Sequence, residues 1–331
     1  MAGVTRSPGT LRRSGADRGQ LLLVTALGLT ALLVVLALVL SSVIYTGDLS
    51  TRGTKALDET NVLHVQNEGV AVATRAIDAE NDGGVHSYES MRANVSRELS
   101  TWSDLSARLA AVNARSTSLR VVSTTNGTRL VQDEVDTMTN RTGASRWTLV
   151  NDATEVRRFD VTVTPSSLVD ATGNDSSADL LADRGAFAVV YETDTGWSKV
   201  FVYRVNGDVA VRVVSSDGYV SERYSVDWTT GNVTVDLVNA TIGGRNAPAL
   251  RDFANLSTPY DVSFHRGANA TGVYDFVVDR PAIDGDVAPP GSVLPGPRGY
   301  RFLYSVSVTF RYVSQELTYE TTVDVPGGVG P

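Results

Sequence analysis

Residues 186–218 read AFAVVYETDTGWSKVFVYRVNGDVAVRVVSSDG. Three short runs rich in Val, Phe and Tyr are separated by Thr195-Gly196 and Asn206-Gly207, and the last ends at Asp217-Gly218. Runs of this length with β-branched and aromatic residues, closed by turn dipeptides, predict antiparallel strands joined by hairpins. The same texture extends downstream through YSVDWTTGNVTVDLVNAT (224–241), PYDVSFHRG (259–267), GVYDFVVDR (272–280), RFLYSVSVTFRYV (301–313) and ELTYETTVDV (316–325). A further turn is expected at Gly231-Asn232. Upstream, LRVVSTTNGTRLVQ (119–132) predicts a hairpin turning at Asn126-Gly127, and Phe159 to Val163 alternates. Many short strands with regular turns predict an antiparallel, sandwich-like domain over 118–325.

Between Pro281 and Gly299 lie five of the eleven prolines, which marks a long irregular loop. The closing Pro-Gly-Gly-Val-Gly-Pro, 326–331, reads as a flexible tail.

Ahead of the strands the period changes. Ala56, Leu63, Val70 and Ile77 recur every seven residues, with Val62, Ala73 and Ala76 beside them. Asn81-Asp82-Gly83-Gly84 breaks the pattern, and Ser87 is placed to cap a second helix. Along that helix Val95, Leu99, Trp102, Leu105, Leu109 and Val112 form one apolar stripe. Residues 47–117 are thus expected to form a helical hairpin or stalk.

Leu21 to Tyr45, LLLVTALGLTALLVVLALVLSSVIY, carries no charge over 25 residues. As a helix this run is about 37 Å long, enough to cross a bilayer core of about 30 Å. The 19 residues before it hold Arg6, Arg12, Arg13 and Arg18 against one acid, Asp17. By the positive-inside bias, residues 1–19 are a cytoplasmic leader, 20–46 a transmembrane helix, and the rest lies outside. The run exceeds the core of an ordinary secretory signal, and no A-x-A-like site follows it. The overall class expected is therefore α+β: a membrane helix, a helical hairpin or stalk, and an extracellular β domain.

Arg18-Gly19-Gln20 stands directly before the apolar run. This junction resembles a class III signal, the kind cut after Gly by archaeal prepilin peptidases. The resemblance covers roughly residues 12–45 and implies a cut between Gly19 and Gln20, with the helix becoming the mature N-terminus of a type IV pilin-like subunit. Val24 stands at the fifth mature position, where such pilins usually carry the Glu that pairs with a neighbouring N-terminus. The start and the Ile44-Tyr45-Thr46 ending are also similar to pilin-like membrane proteins of haloarchaea. Composition agrees with that likeness: Lys55 and Lys199 are the two lysines beside 27 arginines, and Asp outnumbers Glu 26 to 11. An Asp-rich, Lys-poor surface suits concentrated salt, where charge repulsion is screened within a few ångströms. The partners implied are the lipid bilayer, other pilin-like subunits and a prepilin peptidase.

Asn-X-Ser/Thr occurs eight times, at Asn94, Asn126, Asn140, Asn174, Asn232, Asn239, Asn255 and Asn269. All lie on the side expected outside, and all are glycosylation candidates. Several chemistries are excluded or lack their residues. A net charge of −8 argues against a nucleic-acid partner. The absence of Cys excludes disulfides, thiolate metal sites and thiol nucleophiles. His64, His86 and His265 are scattered, and no H-E-x-x-H, G-x-S-x-G or phosphate-loop motif occurs. Asp284-Gly285-Asp286 has calcium-type ligands without the spacing of an EF-hand. The sequence thus predicts no catalytic residue, no metal site and no cofactor. It predicts a structural or interaction protein of the cell envelope. The alternative is an uncleaved, membrane-tethered module that binds a ligand or calcium.

Overall fold

A computed structural model describes residues 62–82, 86–171, 178–228, 231–255, 259–281, 286–292 and 296–328. The chain divides into two compact units, Met1–His64 and Val65–Pro331, and both sheets belong to the second. The leader, the Arg18-Gly19-Gln20 junction and the apolar run lie outside the described residues. Among those described, no helix is long and apolar enough to cross a membrane.

The second unit is mostly antiparallel β-structure. One sheet has eight strands in the order β10-β9-β8-β3-β12-β1-β13-β14. They are β1 (Ser116–Thr137), β3 (Val156–Val163), β8 (Val233–Asp236), β9 (Thr241–Ile242), β10 (Arg245–Asn246), β12 (Thr271–Val278), β13 (Arg298–Val313) and β14 (Thr318–Pro326). The other sheet has six, ordered β2-β11-β4-β5-β6-β7. These are β2 (Trp147–Ala153), β4 (Phe187–Thr193), β5 (Gly196–Val205), β6 (Asp208–Ser215), β7 (Tyr224–Asp227) and β11 (Tyr260–His265).

The sheets face each other across one core. Alternation sends Phe159, Val161 and Val163 of β3 and Tyr274 and Phe276 of β12 inward, to meet Phe187, Val189 and Tyr191 of β4 and Phe264 of β11. Phe159 lies 4.6 Å from Phe276 in its own sheet and 6.1 Å from Phe264 across the gap, between ring centroids. Such offset aromatic contacts add to the area the rings bury.

The hairpins of 186–218 form as the turn residues require. Asn206 and Gly207 alone join β5 to β6, both at positive φ (52° and 87°), the two-residue geometry that matches strand twist. Gly231-Asn232 is not a hairpin turn, because β7 and β8 belong to different sheets and the chain crosses between them there. Asn126-Gly127 is not a turn either. It lies inside β1, which runs unbroken for 22 residues and pairs with β13 over most of its length and with β12 beyond Thr128. A Cβ on Gly127 would sit 2.3 Å from the Val278 carbonyl oxygen, so glycine serves close packing here rather than reversal.

Helix α1 covers residues 62–82 and α2 covers Tyr88–Ala111. Ser87 caps α2 as expected, its side chain accepting from the Ser90 N–H. The two helices run antiparallel: Asn94 Nδ2 donates to Glu80 Oε2 at 3.2 Å, and Trp102 lies against Gly69. They lie on the face of β1, β13 and β14 that carries Leu119, Phe310 and Tyr319. Leu119 N–H donates to Ser103 Oγ, Thr117 Oγ1 to Ser106 Oγ, and Tyr319 Oη to Gln66 Oε1. Asn81 both donates to and accepts from the backbone of Leu303. The apolar stripe of α2 divides. Val95 and Leu99 are buried, whereas Leu105, Leu109 and Val112 are 56%, 75% and 85% exposed.

The loop between Pro281 and Gly299 is irregular where it is described, and Ala288 bridges to Arg298. Gly327 and Gly328 are held by hydrogen bonds to the domain. Gly327 N–H donates to the Tyr304 carbonyl, Arg157 donates to the Gly327 carbonyl at 2.8 Å, and Gly328 N–H donates to Asp78. A Cβ on Gly327 would lie 2.2 Å from the Leu303 carbonyl oxygen, so only glycine fits this position.

Candidate functional site

The eight sequons fall in very different surroundings. Asn140 is 6% exposed. Its Oδ1 accepts from Thr142 N–H, Thr142 Oγ1 and Ala144 N–H, and its Nδ2 donates to Asp286 at 2.7 Å. It is a buried turn brace. Asn94 and Asn269 use their amide nitrogens on Glu80 and on the Gly185 carbonyl, and exposed Asn239 uses its own on Asp236. Asn126 is half-buried inside β1. Asn232 is exposed at the start of β8. Asn174 and the side chain of Asn255 lie outside the described residues.

Asp286, the described member of the Asp284-Gly285-Asp286 triplet, spends an oxygen on Asn140. Among the described residues no group of three or more His, Asp or Glu is arranged to hold a metal. A carboxylate row is formed by Asp236, Asp160 and Asp275, set opposite one another across β8, β3 and β12. It is internally compensated. Arg129 forms two hydrogen bonds to Asp275 (2.9 and 2.8 Å) and Arg158 adds one at 3.0 Å. Burial, then the neighbouring Asp236, pushes the Asp160 carboxyl up. Asp236 accepts three hydrogen bonds from residues 238 and 239.

A cleft of about 510 Å³ lies between Asn151, Asp152, Thr154, Pro259, Arg280 and Pro281. Its cation, Arg280, donates Nε to the Asp152 carbonyl at 2.7 Å, and Asp152 itself sits at φ 54° with its N–H on Asp261. These bonds hold the left-handed residue in place and leave Arg280 less able to grip a ligand.

The opposite balance of charge occurs at one end of the outer face of the six-stranded sheet. Trp147 of β2 pairs with Phe264 of β11 at the end of their ladder, and exposed Arg146 directly precedes β2. Thr148 pairs with Ser263, Ser263 with Val190, and Val190 with Lys199. Paired residues point to the same face. Thr148, Ser263, Lys199 and, two residues along from Ser263, His265 therefore share it, and Arg266 follows His265 in a left-handed conformation (φ 60°). Lys199 Nζ rests 3.9 Å from the centroid of the Trp197 ring. Burial first, then the charges of Arg146, Lys199 and Arg266, pull His265 down to about 4. Burial and Arg146 also lower Lys199, opposed by Glu192. The His265 Nε2 is shut off from solvent without a hydrogen-bond partner.

The sequence did not single out this group. Its one available signal was that Lys199 is one of two lysines in the chain. Nothing in the linear order shows that residues near 148, 199 and 265 share a face.

The chain matches no protein-family model, no curated protein and no solved structure. The functional reading therefore rests on the chain's own residues.

Proposed function

We propose that this protein is a single-pass, pilin-like structural or interaction protein of the cell envelope. Its N-terminal apolar helix anchors it or assembles with like helices, and the β-rich domain presents its surface outside. The observation that carries this reading is Arg18-Gly19-Gln20 abutting 25 residues without a charge. A processing site at that junction leaves a chain that begins with its own membrane segment. The construction of the described residues supports it. Sixteen residues of sequence separate Tyr45 from α1. That helix is fastened to β13 through Asn81 and to the C-terminal glycines through Asp78. A pull on the start of α1 is thus shared by strands that run through the whole domain.

Mass spectrometry of the mature N-terminus in membranes tests the proposal. A chain beginning at Gln20, and retention of the leader on Gly19→Leu, is the expected result. Full-length chain recovered from the soluble cytosol overturns it. A second reading, an uncleaved tether presenting a ligand-binding module, is favoured by the cation group around His265. An intact Met1 or Ala2 start in the membrane fraction selects it.

A further inference from the structure

Among the described strands, both sheets end in open edges, and three of these edges are short or interrupted. β10 has two residues and β7 has four, and the pairing of β2 with β11 shifts register twice. The fourth edge, β14, is nine residues long and pairs with β13 from Thr318 to Pro326 without a break in register. Native edges are blunted by lysine, proline, bulges or brevity. β14 has no lysine and no bulge, and its one proline is its last residue.

Hydrogen bonds at the two ends of the β13–β14 ladder fix which way the backbone of β14 points. Ser314 N–H donates to the Leu317 carbonyl, and Gly327 N–H donates to the Tyr304 carbonyl. In an antiparallel pair alternate residues bond to the partner strand, and those between them point away. The odd-numbered residues of β14 therefore bond to β13. Thr318, Glu320, Thr322 and Asp324 turn their N–H and carbonyl groups to the open edge, and Pro326, which has no N–H, falls in the same phase. No backbone hydrogen bond of the described residues reaches these groups. The side chains of the same four residues are exposed.

The sequence of this edge fits a second copy of itself. With two β14 strands antiparallel about a two-fold axis at Thr321, Tyr319 of one copy meets Val323 of the other, and the two Thr321 meet, on the face that carries the helices. On the opposite face Glu320 meets Thr322, and Thr318 meets Asp324. Aromatic–β-branched pairs and Thr–Thr pairs are favourable cross-strand partners. No carboxylate faces another. Moving the axis by one residue, to Thr322, sets Glu320 against Asp324, and like charges directly opposite destabilise a sheet. The two acids thus select one register rather than blocking the edge.

We propose that β14 is an interface between copies of this chain: two β14 edges pair about Thr321 and join their eight-stranded sheets into one continuous sheet across a two-fold axis. Pairing of this kind takes its affinity from main-chain hydrogen bonds and its register from alternate side chains. The inference rests on the β domain alone and holds for a cleaved or an intact N-terminus.

The test uses the full-length protein in non-ionic detergent and about 1 M sodium chloride, where repulsion between two chains of net charge −8 is screened within about 3 Å. Light scattering, corrected for bound detergent, should report a dimer. Thr322→Pro removes an outward N–H and leaves the β13 ladder intact. It should raise the dimer dissociation constant about tenfold or more, the scale of losing one or two hydrogen bonds. The chain has no cysteine, so single cysteine replacements report proximity directly. Under mild oxidation Thr321→Cys should form a covalent dimer, because its Cβ lies about 4.5–5.5 Å from its counterpart in a directly opposed pair. Thr322→Cys, opposite Glu320, and Asn232→Cys, exposed beside β8, should each link at least about tenfold more slowly. A monomer under these conditions overturns the proposal. So does a dissociation constant unchanged in Thr322→Pro, which would place the contact elsewhere, for instance in the apolar N-terminal run. Thr322→Cys or Asn232→Cys linking as fast as Thr321→Cys overturns it too, and this series decides the matter if Thr322→Pro does not fold.

Discussion

Leu99 and Leu109 occupy the same apolar stripe of α2, ten residues apart, and the structure assigns them opposite costs. Leu99 is fully buried, whereas Leu109 is 75% exposed. Truncating a buried Leu to Ala removes its transfer free energy and leaves a cavity, together about 2–5 kcal/mol. Leu99→Ala should reach the upper half of that range, because Met91, Val95 and Ile77 are also fully enclosed and the space cannot collapse without moving β1. Leu109→Ala removes little buried surface and exchanges one good helix former for a better one, so its cost should stay within about 0.5 kcal/mol. Urea unfolding of the full chain in non-ionic detergent, followed by tryptophan fluorescence, reads the difference as a shift in midpoint at constant slope. A loss of about 2 kcal/mol or more for Leu109→Ala would mean that the far end of α2 is covered. A loss below about 1 kcal/mol for Leu99→Ala would mean that the hairpin does not pack on β1 and β13 as described. Either result refutes the reasoning.

Other expectations rest on the same geometry. Ser87→Ala removes the cap on Ser90 N–H and should cost about 1 kcal/mol, with Ser87→Asp restoring most of it, again by urea midpoint. Asn140→Ala breaks four hydrogen bonds in a buried turn and should destabilise by about 1–3 kcal/mol, while Asn232→Gln should be neutral in stability. If the sequons are used, Asn232→Gln should remove a glycoform in intact-mass spectra of material from the native host, and Asn140→Gln should remove none. His265 is held below its ordinary value, so the unfolded chain takes up its proton first as pH falls. Its contribution to stability is present above pH of about 6.5 and is lost as pH drops toward about 4. His265→Gln should narrow the difference in urea midpoint between about pH 7 and about pH 5. An unchanged difference counts against the cationic surroundings assigned to the ring.

Local chemistry by itself determined several features of this protein. Asn206-Gly207 makes a two-residue hairpin because both positions take positive φ readily. Ser87 starts α2 because its hydroxyl meets an N–H that has no partner within the helix. The alternation of 301–313 makes a half-buried strand because successive side chains point to opposite faces. These depend on a few neighbouring residues, so they are legible in a linear reading. The tertiary structure decided the rest. Asn126-Gly127 carries a hairpin signal as strong as Asn206-Gly207, yet β1 runs straight through it. Its partners, β13 and β12, lie more than a hundred residues away, and their ladder of hydrogen bonds outweighs one turn preference. Packing divided the stripe of α2, since a helix pattern shows which face is apolar but not how far the surface opposite it extends. The placing of Lys199 on one face with Thr148, Ser263 and His265 arises from the register of β2, β11, β4 and β5. Register is a long-range property, which residue order alone does not reveal.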